Sequence, residues 1–69
     1  MITFTHTIRG VEVQVEADEF FEDRSVGVPL GPESLSITQL CAEEDQITLN
    51  NSDWELMSRI ATEKYMEQL

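Results

Sequence analysis

The sequence predicts an α+β domain in which one C-terminal helix packs on one face of a four-stranded, mainly antiparallel sheet. Three observations predict this fold: an alternating hairpin in residues 2–17, a second extended pair in residues 35–49, and a helical period after Asn51. No repeat, linker or low-complexity segment divides the chain, so we expect one domain, residues 1–69.

The first hairpin has the clearest pattern in the sequence. Ile2–Ile8 alternate threonines with apolar side chains, apart from His6, which falls on the apolar side. Residues 11–17 alternate valine or alanine with Glu or Gln, and Arg9 and Gly10 separate the two runs. Alternation of period two is typical of strands with one buried face. Gly10 provides the positive φ that a two-residue hairpin turn needs.

The middle of the chain predicts a long loop followed by a second hairpin. Residues 18–34 have no sustained period, so we expect a functional or mobile loop with a short extended piece at residues 26–30. Extended structure resumes at residues 35–41, an acidic turn follows at 42–45, and residues 46–49 return as the fourth strand.

The C-terminal segment predicts an amphipathic helix. Ser52 and Glu55 fit a capping box, in which both side chains accept backbone N–H groups of the first turn. Six apolar residues share one arc at helical spacing, namely Trp54, Leu56, Met57, Ile60, Ala61 and Tyr65. The sheet is the surface large enough to receive this arc.

Charge is the extreme property of the chain. Fourteen Asp and Glu residues against four Lys and Arg residues give a formal net charge of -10 in 69 residues. Small domains need roughly 2 to 8 net charges for solubility, and a larger excess adds self-repulsion to a thin core. The acidity argues against direct contact with nucleic acid or with anionic membranes, because both are polyanions.

Cysteine usage and hydropathy favour a cytoplasmic location. The single cysteine, Cys41, has no partner for an internal disulfide, which small secreted domains usually carry. The sequence shows no signal-peptide pattern and no run of about 18 apolar residues. We therefore expect a soluble protein of a reducing cytoplasm.

The residues that carry catalysis or bind metals in other proteins are scarce here. His6 is the only histidine and Cys41 lies among acidic residues, whereas an activated thiol needs basic neighbours. The three consecutive acids Glu43, Glu44 and Asp45 lack the alternating ligands and central glycine of an EF-hand loop. We expect no cofactor, no metal site and no enzymatic activity.

The strongest candidate site is an acidic run that begins on the second strand. Residues 12–23 contain six acids and no base. Glu12, Glu16 and Asp18 share one strand face, where alternate side chains stand roughly 6.6 Å apart, comparable with two phosphate steps of about 3.4 Å along a DNA duplex. The candidate partner-binding residues are Glu12, Glu16, Asp18, Glu19, Phe20, Phe21, Glu22, Asp23, Glu43, Glu44 and Asp45.

Two features of this run leave alternatives open. The acids could be the ordinary solvent face of an amphipathic strand, although such a face usually mixes both signs of charge. Strict alternation would bury only one of Phe20 and Phe21 and expose the other as an anchor for a partner. Burial of both rings beneath the loop is the alternative.

The whole chain resembles a class of small acidic proteins encoded by bacteriophages and mobile elements. The features are the start Met1-Ile2-Thr3-Phe4, the acidic hairpin, the Gly31-Pro32-Glu33 loop and the capped C-terminal helix. Several such proteins are anti-CRISPRs or other host-defence inhibitors, and some are DNA mimics. The resemblance implies a non-catalytic inhibitor in a bacterial host cell, which blocks the DNA- or RNA-binding site of a nuclease or CRISPR effector subunit.

Two other roles fit the same charge. A small phage or prophage accessory or structural protein would bind a basic protein partner unrelated to nucleic acid. A surface adapted to high salt would need no partner at all. In each case we expect a monomer or a weak homodimer.

Overall fold

Three antiparallel strands and one helix make up the fold. A computed structural model describes residues 1–69. In chain order the elements are β1 (Ile2–Ile8), β2 (Val11–Asp23), a 3₁₀ turn (Arg24–Val26), β3 (Val28–Gln39), a second 3₁₀ turn (Glu43–Asp45) and α1 (Asn51–Glu67). The strands form one sheet in the order β1-β2-β3, so the fold is α+β and the prediction of a fourth strand is wrong.

The hairpin of β1 and β2 lies where the alternation predicts it. Ile8 pairs with Val11 across the turn, and the two turn residues, Arg9 and Gly10, have positive φ angles of 47° and 86°. Positive φ at both central positions gives the turn the twist of the flanking strands. The register then continues without a shift to the pair of Ile2 with Ala17.

The predicted loop at residues 18–34 is instead a two-stranded ribbon. β2 continues to Asp23 and β3 begins at Val28, so both extend beyond the part of the sheet that β1 pairs. Glu19 has a left-handed backbone, with φ of 56°, and the register shifts between Phe21 and Asp23. These irregularities interrupt the alternation of apolar and polar residues from which a strand is predicted. Residues 18–34 therefore have the sequence pattern of a loop although they form strands.

Residues 46–49, predicted as the fourth strand, bond to a side chain rather than to a backbone. The Gln39 side chain accepts a hydrogen bond from Ile47 N and donates one to Ile47 O, each at 2.8 Å. Ile47 and Leu49 pack against the core. The apolar residues of this segment indicated a strand, but they are partly buried against the core without joining the ladder.

The helix α1 begins with a different capping box from the predicted one. The Asn50 side chain accepts a hydrogen bond from Asp53 N, and Asp53 accepts one from Asn50 N, both at 2.9 Å. Ser52, the predicted cap, lies inside the first turn and is exposed.

The structure contains no helix that is both long enough and apolar enough to cross a membrane.

Two small clusters form the core between α1 and the sheet. The buried members are Ile8, Val13, Val15 and Met57 in one cluster, and Ile2, Ala17 and Ala61 in the other. Trp54 was predicted on the buried arc but is 38% exposed, whereas Asp53 is only 8% exposed. The buried stripe of α1 therefore starts with a charged residue. Because α1 packs on one face of the sheet, the opposite face has no covering element.

Candidate partner-binding surface

The uncovered face of the sheet brings three of the predicted acids together. Glu12, Glu16 and Asp18 are exposed and alternate with the buried residues of β2 that face the helix. We call these three residues the anionic row. Gln14, which lies between Glu12 and Glu16 on the same face, is half-buried and uncharged.

Hydroxyl side chains border the anionic row on both sides. The neighbouring positions are Thr3, Thr5 and Thr7 on β1 and Ser34, Ser36 and Thr38 on β3. All six are exposed, and each hydroxyl can donate as well as accept a hydrogen bond. None of the six was predicted as a site residue, although the threonine alternation of β1 already placed three of them on this face.

No cation neutralises the centre of the anionic row. The ion pairs of the structure join Arg9 with Asp53, Arg24 with Glu22, and the Met1 amino group with Asp18. The last of these is long, at 3.8 Å, and Asp18 also accepts a hydrogen bond from Glu19 N at 2.9 Å. Glu12 and Glu16 therefore present carboxylates whose charge no neighbour cancels.

The other acids of the predicted run lie on the ribbon and have different roles. Asp23 accepts hydrogen bonds from Ser25 Oγ at 2.6 Å and from Ser25 N at 3.0 Å, and these bonds lower the pKa of its carboxyl. Glu22 lies 3.3 Å from Arg24. The side chains of Glu22 and Asp23 thus bond to the Arg24–Val26 turn at the end of the ribbon, while Glu19 is exposed and makes no ion pair.

The adjacent rings Phe20 and Phe21 have different environments. Phe20 stacks on Tyr65 of α1, with the ring centroids 4.2 Å apart and the planes 5° from parallel. Phe21 is 45% exposed, together with Val28 at 40% and Val26 at 70%. We call Phe21, Val26 and Val28 the ribbon tip. One ring therefore fixes the ribbon to the helix, and the other is available to a partner.

The acidic turn Glu43–Asp45 forms a separate surface. Its three side chains are exposed and make no ion pair. The turn comes shortly after Leu40, whose N–H donates a hydrogen bond to Glu12 O at 2.9 Å. The chain therefore leaves the sheet at the end of β2 that contains Glu12. Asp23 lies at the opposite end of β2. The candidate residues therefore divide among the sheet face, the ribbon and this turn.

The acids do not cluster around one point of the surface in an arrangement that could hold a metal ion. No three His, Cys, Asp or Glu side chains are arranged to hold a metal ion. A shallow surface depression is lined by Met1, Ile2, Thr3, Lys64, Glu67 and Gln68. Glu67 is the only carboxylate side chain among these residues.

Comparison with protein-family models finds no matching family, and comparison with curated proteins and with solved structures finds no match.

Proposed function

We propose that this chain is a non-catalytic inhibitor whose anionic row occupies the nucleic-acid-binding site of a basic protein, such as a nuclease or a CRISPR effector subunit. The observation that carries the proposal is the environment of Glu12 and Glu16. They lie on a sheet face that no other element covers, and no cation is within ion-pair distance. An ordinary solvent-exposed strand would intersperse bases with these acids.

The spacing of the anionic row supports contact with a phosphate-binding groove. Alternate side chains of a strand stand roughly 6.6 Å apart, which is about two phosphate intervals of 3.4 Å, so Glu12, Glu16 and Asp18 can match phosphate positions with a gap at Gln14. An arginine that binds a phosphate can bind a carboxylate in the same two-pronged manner. The row thus offers the charge and the hydrogen-bond acceptors that such a groove selects.

Screening decides which acids act together. At about 0.15 M salt the Debye length is about 8 Å, slightly longer than the roughly 6.6 Å between alternate side chains of a strand. Glu16 and Asp18 are separated by one such step and therefore reinforce one another in the field that a partner meets, whereas Glu12 is two steps, roughly 13 Å, from Glu16 and is more strongly screened from it. The opposite potentials steer the encounter and make the association weaker at high salt.

A second candidate function is that of an accessory or structural protein that binds a basic partner unrelated to nucleic acid. The ribbon tip favours it, since Phe21, Val26 and Val28 are apolar and exposed. A phosphate-binding groove has no need of such contacts, whereas exposed aromatic residues often dominate protein interfaces. In that case Phe21 contributes more to binding than the anionic row.

Capture from a bacterial lysate with matched variants tests the proposal. The row variant carries Glu12→Gln, Glu16→Gln and Asp18→Asn. The control variant carries Glu55→Gln, Glu63→Gln and Glu67→Gln, which remove the same charge from exposed positions of α1. Double-stranded DNA is then added as a competitor to each captured complex.

We expect the wild type and the control variant to capture a nucleic-acid-binding protein, and we expect the added DNA to release that protein from the complex. The row variant should capture much less of it. Capture that depends on Phe21, tested as Phe21→Ala, and that DNA does not reverse would support the accessory function instead. Equal capture by all proteins in the presence of DNA would exclude the anionic row from binding.

A further inference from the structure

We infer that β1 is an interface through which two copies of this chain join edge to edge into one continuous sheet. β1 is an outer strand and pairs only with β2. Its other edge therefore carries backbone N–H and C=O groups that have no strand partner. An open edge of this kind is a template for pairing with a further strand.

The register identifies the backbone groups that point outward. Leu40 N donates to Glu12 O, so Glu12 and alternate residues of β2 bond to β3, and the residues between them bond to β1. Thr7 is the residue of β1 that lies opposite Glu12. The outward N–H and C=O groups of β1 are therefore those of Thr3, Thr5 and Thr7.

The edge of β1 lacks the features that usually keep sheet edges apart. Its 7 residues contain no charge, no proline and no bulge. The edge of β3 differs, since it includes Pro29, Pro32 and Glu33. At Gly31 it also approaches the helix, because a Cβ there would lie 4.0 Å from Ser58 Oγ. Only residues 34–38 of β3 are without such features.

The charge distribution indicates a second copy as the occupant. A basic partner is attracted by acids, and β1 has none, although the chain carries a net charge of -10. Two of the four basic residues are close to β1 instead. Arg9 follows its last residue, and Lys64 Nζ lies 5.5 Å from the centre of the Phe4 ring. Two copies that meet at β1 therefore bring together edge strands that carry no acid themselves, with Glu12 and Glu16 of each copy one strand away from the contact.

A two-fold axis at Thr5 would pair every outward group of the edge. Thr5 then faces Thr5 of the second copy, and Thr3 faces its Thr7, with roughly six backbone hydrogen bonds in total. Pairs of threonines stabilise antiparallel strands. On the helix side, Phe4 lies beside His6 of the second copy, and both residues are half-buried in a single chain. The second copy thus covers side chains that α1 leaves partly exposed.

The dimer does not depend on the proposed function, but it would change how the anionic row acts, and this consequence rests on the proposed function. Two anionic rows would lie on the same sheet face, three strand spacings or roughly 14 Å apart, and would run antiparallel. The major groove of B-DNA is about 12 Å wide. The dimer would therefore present two lines of carboxylates, as a duplex presents two lines of phosphates.

Sedimentation equilibrium over a series of protein concentrations tests the interface. Thr5→Pro removes an outward N–H and keeps the hydrogen bonds to β2, and Thr5→Val is its control because it retains the N–H. We expect wild type and Thr5→Val to dimerise, and Thr5→Pro to do so at least about tenfold more weakly. Raising the salt from about 0.05 to about 0.5 M should tighten the dimer roughly tenfold, because screening reduces the repulsion between two acidic chains.

Hydrogen exchange provides a readout that does not depend on the folding of the proline variant. The amides of Thr3, Thr5 and Thr7 should become protected as the wild-type concentration rises. Wild type that stays monomeric at about 1 mM protein in high salt, where repulsion is screened, would overturn the inference. So would a dimer whose β1 amides exchange freely, which would move the contact to residues 34–38 of β3.

The chain could instead stay monomeric, with these amides protected only after a captured partner is added. That result would also contradict the inference, because the partner and not a second copy would then occupy the edge of β1. Partner capture is measured separately from self-association. The dimer can therefore fail while the proposed function stands, and the reverse also holds.

Discussion

Arg9 and Asp53 form a two-pronged ion pair between the β1–β2 turn and the first turn of the helix, with Nη1 to Oδ1 at 2.9 Å and Nη2 to Oδ2 at 3.0 Å. Arg9 Nη2 also donates to Thr48 O at 3.0 Å, and Asp53 accepts the N–H of Asn50. These two side chains thus join the hairpin turn, the loop before the helix and the helix N-terminus. The pair also explains how a charged residue can start the buried stripe of α1.

The stability that Asp53 contributes should disappear in acid. The hydrogen bond from Arg9 and then the backbone hydrogen bond from Asn50 hold the pKa of Asp53 below its ordinary value of 3.8. A carboxyl with a lowered pKa in the folded state stabilises the fold above its unfolded pKa, and the effect is lost as the pH falls through the folded pKa. Asp53→Asn should therefore lower the Tm at pH 7, and the difference from wild type should shrink below about pH 4.

The control for this comparison is Glu55→Gln, which removes one charge from an exposed position of the same helix. Its Tm should differ little from that of wild type across the pH range. Asp23, whose pKa is also lowered, is present in all three proteins, so its effect cancels. A Tm difference for Asp53→Asn that is as large at about pH 2 as at pH 7 would contradict an electrostatic origin.

The capping box predicts different effects for two neighbouring polar residues. Asn50→Ala removes the acceptor for Asp53 N and should cost about 1 kcal/mol, which lowers the Tm of a domain of this size by roughly 4 to 8 °C. Ser52→Ala should leave the Tm nearly unchanged, because Ser52 is exposed within the first turn. Thermal unfolding followed by circular dichroism measures both. A larger loss for Ser52→Ala would place the helix start where the sequence pattern predicted it.

The parts of the fold that the sequence predicted are those with a regular period. The β1–β2 hairpin alternates without interruption, and its glycine marks the turn. The capping residue was missed because Asn50, Asn51 and Ser52 are all good N-caps, and the choice among them depends on Asp53. Asp53 is itself held by Arg9, which lies 44 residues earlier in the chain. No local pattern contains that contact.

The missed elements depend on side chains that act in place of regular backbone structure. Gln39 takes the position of a backbone partner for Ile47, so an apolar segment that resembles a strand does not extend the sheet. At Glu19 the left-handed backbone interrupts the alternation of β2, and Phe20 rather than Glu19 packs toward the helix at Tyr65. A glutamate gives no sequence signal for a positive φ.

The candidate site was predictable only in part. Alternation along β2 was enough to place Glu12, Glu16 and Asp18 on one face. It could not show that Glu22 pairs with Arg24, or that Asp23 bonds to its own turn, because both contacts depend on where the ribbon reverses. The acidic run therefore contributes fewer unpaired charges than the count of its acids indicates.

Behaviour at low salt separates a partner-binding surface from an adaptation to high salt. An acidic surface adapted to concentrated salt leaves the domain unfolded in dilute buffer, where its self-repulsion is strongest. We expect the domain to remain folded there, since its buried polar side-chain atoms all have hydrogen-bond partners and its core contains no unpaired charge. Circular dichroism at about 10 mM ionic strength measures this. A spectrum of an unfolded chain that becomes folded only in molar salt would favour salt adaptation.

The measurement that tests the role of the anionic row most directly is the affinity of the captured partner over a series of salt concentrations, determined by calorimetry for wild type, the row variant and the control variant. Because the row variant removes three carboxylates from the contact, it should bind more weakly and its affinity should depend less steeply on salt. The control variant has the same net charge and should retain nearly the affinity and salt dependence of wild type. Equal affinity and equal salt dependence of the row variant and wild type would contradict a contact through Glu12, Glu16 and Asp18.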